Sequence, residues 1–362
     1  MACGVALLCG LPSIIAAWPV PDSSLTAAAL RARVLASSSV AYSGYSESSV
    51  SLGLPDLPDL GQVSTLLDGI TDQYTWYLSA GQWRADVITA GGESDTYQTS
   101  QGTYLWDYSS NLLTQVTGTQ PFRLPRAADL LPPALARRLL SYASPADHLS
   151  RLPSQRIAGV DAAGLRLVPA NPVTTVGEID VWANPANGLP VEVTVNGRGS
   201  DQPVLVTRFL NLNQSPPALA TVTPAPAPGV GVTTTQLPDV SGILNAFAPP
   251  LPAQLAGMSQ VAVPGGLSDI AAYGTGFSRF AVLPLPSSVG NSALSAADNA
   301  GAGGVALTDG VTGALVKTPL VNVLLVEPPG GGPVYLLTGT VAPALLVQAG
   351  SGLLTDLQGE VP

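Results

Sequence analysis

Glycine and proline fill 38 and 34 of the 362 positions, and no other feature limits the fold of this chain as much. A proline inside a helix removes a hydrogen bond and clashes with the preceding turn, while a glycine there costs about 1 kcal/mol relative to alanine. Breakers this frequent cut the chain into brief strands, tight turns and an occasional short helix. Apolar residues make up 46 %, enough for a buried core and too many for wholesale disorder. Charge is sparse at 10 %, and 14 basic against 24 acidic residues give a net charge of −10. Such a balance leaves no basic surface to replace phosphate counterions, which argues against a nucleic-acid partner.

Residues 1–21 carry no charge. An apolar stretch of this length reads as the hydrophobic region of a signal peptide or as a short N-terminal membrane anchor. Both cysteines, Cys3 and Cys9, fall inside it. Removal of the segment would leave a chain without thiol chemistry, disulfides or thiolate metal sites. No later apolar run approaches the ~18 residues of a spanning helix. The expected location is extracytoplasmic, in the cell envelope, with the protein released or held by its N-terminus.

Residues 22–39 have an Ala/Leu/Arg pattern that predicts an amphipathic helix, with Ser23 or Ser24 as its cap. From Val40 the rhythm changes to a period of two, and turn residues recur every eight to ten positions, the pattern of an antiparallel meander. Strands are predicted at 83–90, 93–99, 103–108 and 112–117. A helical pattern at 125–143 interrupts them. Strands resume at 156–160 and 165–168, joined through Asp161–Gly164, then at 178–183 and 190–195 around the turn Asn184–Gly188, and at 204–212. Residues 215–236 hold five prolines and no charge. They read either as an extended linker or as a loop laid over the first unit. The division is therefore 22–214, a linker 215–236, and a smaller α+β unit at 237–362. In that unit a helix is expected at 237–247, strands at 277–283, 304–308, 314–318, 321–326 and 334–340, and a closing helix at 343–357.

Catalytic constellations are missing. His148 is the single histidine, and no G-x-S-x-G elbow supplies a nucleophile for it to activate. One histidine leaves no zinc site. Asp56 and Asp59 sit between prolines, the composition of a loop, with too few neighbouring oxygen ligands for calcium. The clusters Gly301–Gly304 and Gly330–Gly332 lack the Lys-Ser/Thr of a phosphate loop. The reading is a non-enzyme without metal or cofactor.

Several segments occur in a telling order: AYSG (41–44), WRAD (83–86), DTYQTSQGTYLWD (95–107), RIAGVDAAGLRLVP (156–169) and IDVWANPANGLPVEVTV (179–195). Across about residues 40–212 the chain resembles the exported lipoprotein-carrier superfamily, LolA and LolB with the MucB/RseB N-terminal domain, in a two-domain form of the kind found in actinobacteria. The resemblance implies an α+β fold: a curved open antiparallel β-sheet, a half-barrel wrapped around helices, followed here by the smaller α+β unit. It further implies an apolar concave face that holds acyl chains in carriers. In the regulatory members that face senses lipid-like ligands while the protein restrains a membrane-bound anti-sigma factor. Arg84 and Arg166 are the candidates for the arginine that carriers place in the cavity.

Strand alternation groups Tyr104, Trp106 and Tyr108 on one face of their strand, and Trp83, Ala85 and Val87 on one face of theirs. Ile179 and Val181 share a face, as do Val191 and Val193. The expected ligand-lining set is Trp76, Trp83, Val87, Tyr104, Trp106, Ile179, Val181 and Val193. The expected function is binding of a lipid or lipoprotein acyl chain as an envelope carrier or sensor. The alternative is an envelope regulatory protein that holds a membrane-bound, anti-sigma-factor-like partner.

Overall fold

The structure, a computed structural model, describes residues 20–54, 65–89, 92–118, 125–236, 249–261 and 270–359. Cys3, Cys9, Asp56, Asp59 and the helix expected at 237–247 lie outside these residues. So does the uncharged N-terminal segment up to residue 19. The fold is the expected α+β class: two large open, mainly antiparallel sheets with a few short helices.

The first sheet begins after helix α1 (Ala27–Ala36). Its cap is Thr26, further along than expected, with the side-chain oxygen accepting from the Ala29 amide at 3.1 Å. Strands β1 (Tyr42–Ser51), β2 (Asp68–Ser79), β3 (Gln82–Thr89), β4 (Gly92–Thr99), β5 (Gly102–Asp107) and β6 (Leu112–Thr117) form one meander. After α2 (Pro132–Ser141), which opens on two prolines at its first turn, comes a second meander. It consists of β7 (His148–Ile157), β8 (Val160–Val168), β9 (Val176–Ala183), β10 (Pro190–Gly197) and β11 (Pro203–Asn213). Strand β11 returns to pair with β1 and fuses the two meanders into a single sheet.

One expectation needs correction. The β7–β8 turn is Ala158-Gly159, where φ is 48° and 79°, the left-handed pair that a tight hairpin requires. Asp161–Gly164 lie inside β8 instead. Gly164 is small there because a Cβ would stand 2.7 Å from Trp182 Nε1. Residues 215–236, left open between a linker and a covering loop, run along the first sheet. Val222 is buried, the Val222 carbonyl accepts from Gln82 Nε2 at 2.9 Å, and β12 (Gly231–Gln236) adds in parallel to β6.

The second sheet contains β13 (Gln254–Leu255), β14 (Met258–Val261), β15 (Ala271–Thr275), β16 (Ser278–Leu285), β17 (Gly303–Ala306), β18 (Thr312–Val316), β19 (Asn322–Val326) and β20 (Val334–Gly339). Helices α3 (Ser287–Asn299) and α4 (Pro343–Gly359) cover it. A seam of hydrogen bonds ties the two sheets. Thr174 Oγ1 lies 2.8 Å from the Phe277 carbonyl and 2.9 Å from that of Thr340, and the Ala342 amide donates to Val173 at 2.8 Å. Phe277 and Leu320 enter the core of the first sheet, and Arg279 lies over the Tyr142 ring at 4.9 Å.

Candidate functional site

Register decides which side chains meet. Leu165, Val181, Val193, Thr207, Ser48 and Thr71 are successive cross-strand partners, so they share one face of the first sheet. Helices α1 and α2 pack on this face through Leu30, Val34, Ala136 and Leu140. Ile179, Val181 and Val193 are fully buried beneath them, 0 % exposed each. Trp83 and Val87 lie further along the same face. Trp83 is half-buried against the Tyr42–Tyr77 cluster, and Val87 stands between Gln73 and Ser94 on the neighbouring strands.

Between these two regions the helix-bearing face turns polar. Ser46, Ser48, Thr71, Gln73, Thr75 and Thr207 are all buried. Ser48 Oγ bonds Thr207 Oγ1 at 2.8 Å, and Gln73 Nε2 donates to the Ala127 carbonyl at 3.0 Å. Ser46 Oγ, Gln73 Oε1 and Thr75 Oγ1 find no hydrogen-bond partner among the described residues. A hydrocarbon chain laid over such groups would leave them unsatisfied, at a cost of about 1–3 kcal/mol each.

The other expected residues, Trp76, Tyr104 and Trp106, lie on the opposite face. Two adjacent rows cross β1 to β5 there: Ser43–Trp76–Arg84–Tyr97–Tyr104, and Tyr45–Tyr74–Asp86–Asp95–Trp106. Both candidate cavity arginines belong to this face as well, away from the helices. Arg166 is held by Asp180 and Glu178 at 2.7 Å each. Arg84 sits deeper. Its Nε is 2.6 Å from Asp86 Oδ1, its Nη2 is 2.8 Å from Asp95 Oδ2, and its guanidinium carbon is 5.1 Å from the rings of both Trp76 and Tyr97.

Burial raises the pKa of Asp95 to about 7, Asp86 adds repulsion, and Arg84 offsets part of the shift. Burial raises Asp86 in the same direction, against Arg84. Asp86, Glu93 and Asp95 bring carboxylate oxygens within 4.8 Å of one another, a spacing a metal ion could use. The Arg84 guanidinium already engages all three, with Glu93 at 3.8 Å. It supplies the positive charge that buried carboxylates need.

Beside this network Ser43, Gly44, Tyr45, Tyr74, Trp76 and Asn211 line an open pocket of about 380 Å³. Tyr45 and Tyr74 have ring centroids 4.7 Å apart, and Tyr74 and Trp76 are stacked at 6.1 Å. Tyr74 is 45 % exposed. Trp106 and Tyr108 form a second stacked pair at 5.4 Å. Sequence reasoning selected Trp76 but passed over Tyr45 and Tyr74. Their signal was alternation, Tyr74 and Trp76 at i and i+2.

His148 is exposed at the start of β7, and the glycines of 301–304 and 330–332 occupy turns and the edge strand β17. No helix among the described residues is long and apolar enough to cross a membrane.

No family model and no curated protein matches the sequence. Among solved structures the chain is similar to the MucA/MucB complex of Pseudomonas aeruginosa, at 15 % identity and a TM-score of 0.48 over 90 % of this chain and 96 % of that one. It is also similar to MucB in complex with MucA(peri), at 14 % identity and a TM-score of 0.47 over 90 % and 97 %. A LolA superfamily protein from Nitrosomonas europaea follows at 11 % identity and a TM-score of 0.25, over 56 % and 99 %.

Proposed function

We propose that the chain is an exported, non-catalytic binding protein of the cell envelope, acting as a regulatory protein that holds a polypeptide partner on the aromatic face of its first sheet. One observation carries the choice between partner and acyl chain. On the helix-bearing face Ile179, Val181 and Val193 are filled in by α1 and α2 and the centre is polar, whereas on the other face exposed Tyr74, with half-buried Tyr45 and Trp76, lines an open pocket. Tyr and Trp are residues on which interfaces concentrate binding energy.

The carrier reading keeps one specific support. Val87 and Leu105 lie partly exposed on the helix-bearing face, beyond the reach of α1 and α2. An acyl chain seated there would contribute about 0.8 kcal/mol per buried methylene.

A photo-crosslinking residue placed at Tyr74 in cells tests the partner reading, with exposed Val289 as control. A discrete polypeptide adduct at 74 and none at 289 is the expected result. Crosslinks to lipid alone, or equal adducts at both sites, would defeat it. Cell fractionation tests export: uncleaved protein in the soluble cytosolic fraction would contradict it.

A further inference from the structure

The pocket beside the Arg84 network has a recognisable chemistry of its own. The fold already shows how this face holds a guanidinium. Arg84 lies against Trp76 and Tyr97 while carboxylates take its N–H groups. The neighbouring pocket shares Trp76 with Arg84 and adds the Tyr45 and Tyr74 rings, over which no cation lies among the described residues. Its wall is the Tyr45, Tyr74 and Trp76 rings, and its border is Ser43 and Asn211. Asp72 is next along the strand face from Tyr74, directly across from Glu47.

Charge points the same way. Among the described residues Glu47, Asp68, Asp72, Asp86, Glu93 and Asp95 share this part of the face with Arg84 and Arg208. Arg208 is turned to Glu47 at 3.5 Å. The surroundings are net acidic, as is the whole chain at −10. A planar cation gains from ring faces and carboxylate together, and arginine fits both better than lysine.

We propose that the Tyr45–Tyr74–Trp76 pocket receives an arginine side chain of a partner polypeptide. The inference rests on the partner reading above and adds the chemistry that the partner presents. Seating would stack the guanidinium on the exposed Tyr74 ring beside Trp76, with Asp72 and Asn211 accepting its N–H groups.

The test uses the full chain and three soluble probes: the peptide acetyl-Gly-Arg-Gly-Arg-Gly-amide, its glutamine counterpart, and argininamide. The readout is the indole N–H resonance of Trp76, assigned by its loss in Trp76→Phe. The arginine peptide should shift that resonance saturably and the glutamine peptide should not. Tyr74→Ala should weaken binding by about fivefold, the scale of one partly exposed cation–π contact, and Asp72→Asn should weaken it with a flatter salt dependence. Both side chains lie at the surface, and unchanged melting of the variants checks that they fold.

Equal shifts by both peptides would overturn the proposal, as would no shift by either. So would a neutral methyl glycoside that shifts Trp76 where arginine does not. Argininamide binding as tightly as the peptide would show a free cation site and overturn the polypeptide source. A crosslinked partner at Tyr74 with no arginine response would sink this inference alone. An arginine response without any crosslinked polypeptide would remove the partner reading and leave the cation pocket.

Discussion

Arg84 Nη2 lies 2.8 Å from Asp95 Oδ2, and the second oxygen of Asp95 is buried with no hydrogen-bond partner among the described residues. This half-satisfied carboxylate is the electrostatic pivot of the aromatic face. Its pKa of about 7 is raised above the ordinary value of 3.8.

The sign of the pH effect follows directly. Between about pH 4 and 7 the folded protein holds a proton on Asp95 that the unfolded chain has released, so stability falls as pH rises through this window. Melting temperature should therefore increase from pH 8 to pH 5, by about 2–4 °C for each kcal/mol recovered. Asp95→Asn should flatten that rise. A variant with the same pH profile as wild type would show that another group is responsible.

Removing the cation is a harsher change. Arg84→Ala strands Asp86 and Asp95, both buried, and should cost about 3 kcal/mol, the low end for a broken buried pair because Arg84 is itself partly exposed. Chemical denaturation measures it. A loss under 1 kcal/mol would mean that the carboxylates simply take up protons without penalty.

The filled half of the sheet gives the contrasting case. Ile179→Ala removes a fully buried side chain under α1 and α2 and should cost about 2–5 kcal/mol. Tyr74→Ala, at an exposed position, should stay within about 0.5 kcal/mol. If Ile179 instead lined a ligand cavity, its truncation would be far milder in the empty protein, and denaturation curves separate the two cases.

At the seam, Thr174→Val keeps the shape but withdraws the hydroxyl that bridges Phe277 and Thr340. Leaving those buried carbonyls a donor short should cost about 1–3 kcal/mol. Limited proteolysis should then cut between the sheets faster than in wild type. An unchanged digestion rate would assign the docking to Phe277 and Leu320 rather than to this hydroxyl.

Much of the first sheet was legible in the sequence. The β5, β6 and β9–β10 strands and the Asn184–Gly188 turn follow from alternation and turn chemistry, and 125–143 holds α2. What alternation could not supply was the phase between strands. Tyr77 faces Trp83 and Trp76 faces Arg84 across β2 and β3. A one-residue slip would have put Trp76 and Trp83 on the same face. The expected ligand set thus divides: Trp83, Val87, Ile179, Val181 and Val193 lie on the helix side, and Trp76, Tyr104 and Trp106 on the other. Helix α3 went unread because its Ser, Gly and Asn residues are weak helix formers; Gly290 is tolerated there because a Cβ would stand 2.4 Å from the Val334 side chain. The Arg84–Asp86–Asp95 network joins residues of two strands, and i, i+2 spacing alone does not announce a salt bridge.

Native mass spectrometry of the freshly purified protein tests the central claim most directly, since it weighs whatever the first sheet carries. The account predicts the mass of the polypeptide alone, with no stoichiometric acyl ligand and no rise in melting temperature on adding fatty acids of increasing length. A one-to-one lipid adduct that restores lost stability after delipidation would contradict it and place the binding site on the helix-bearing face.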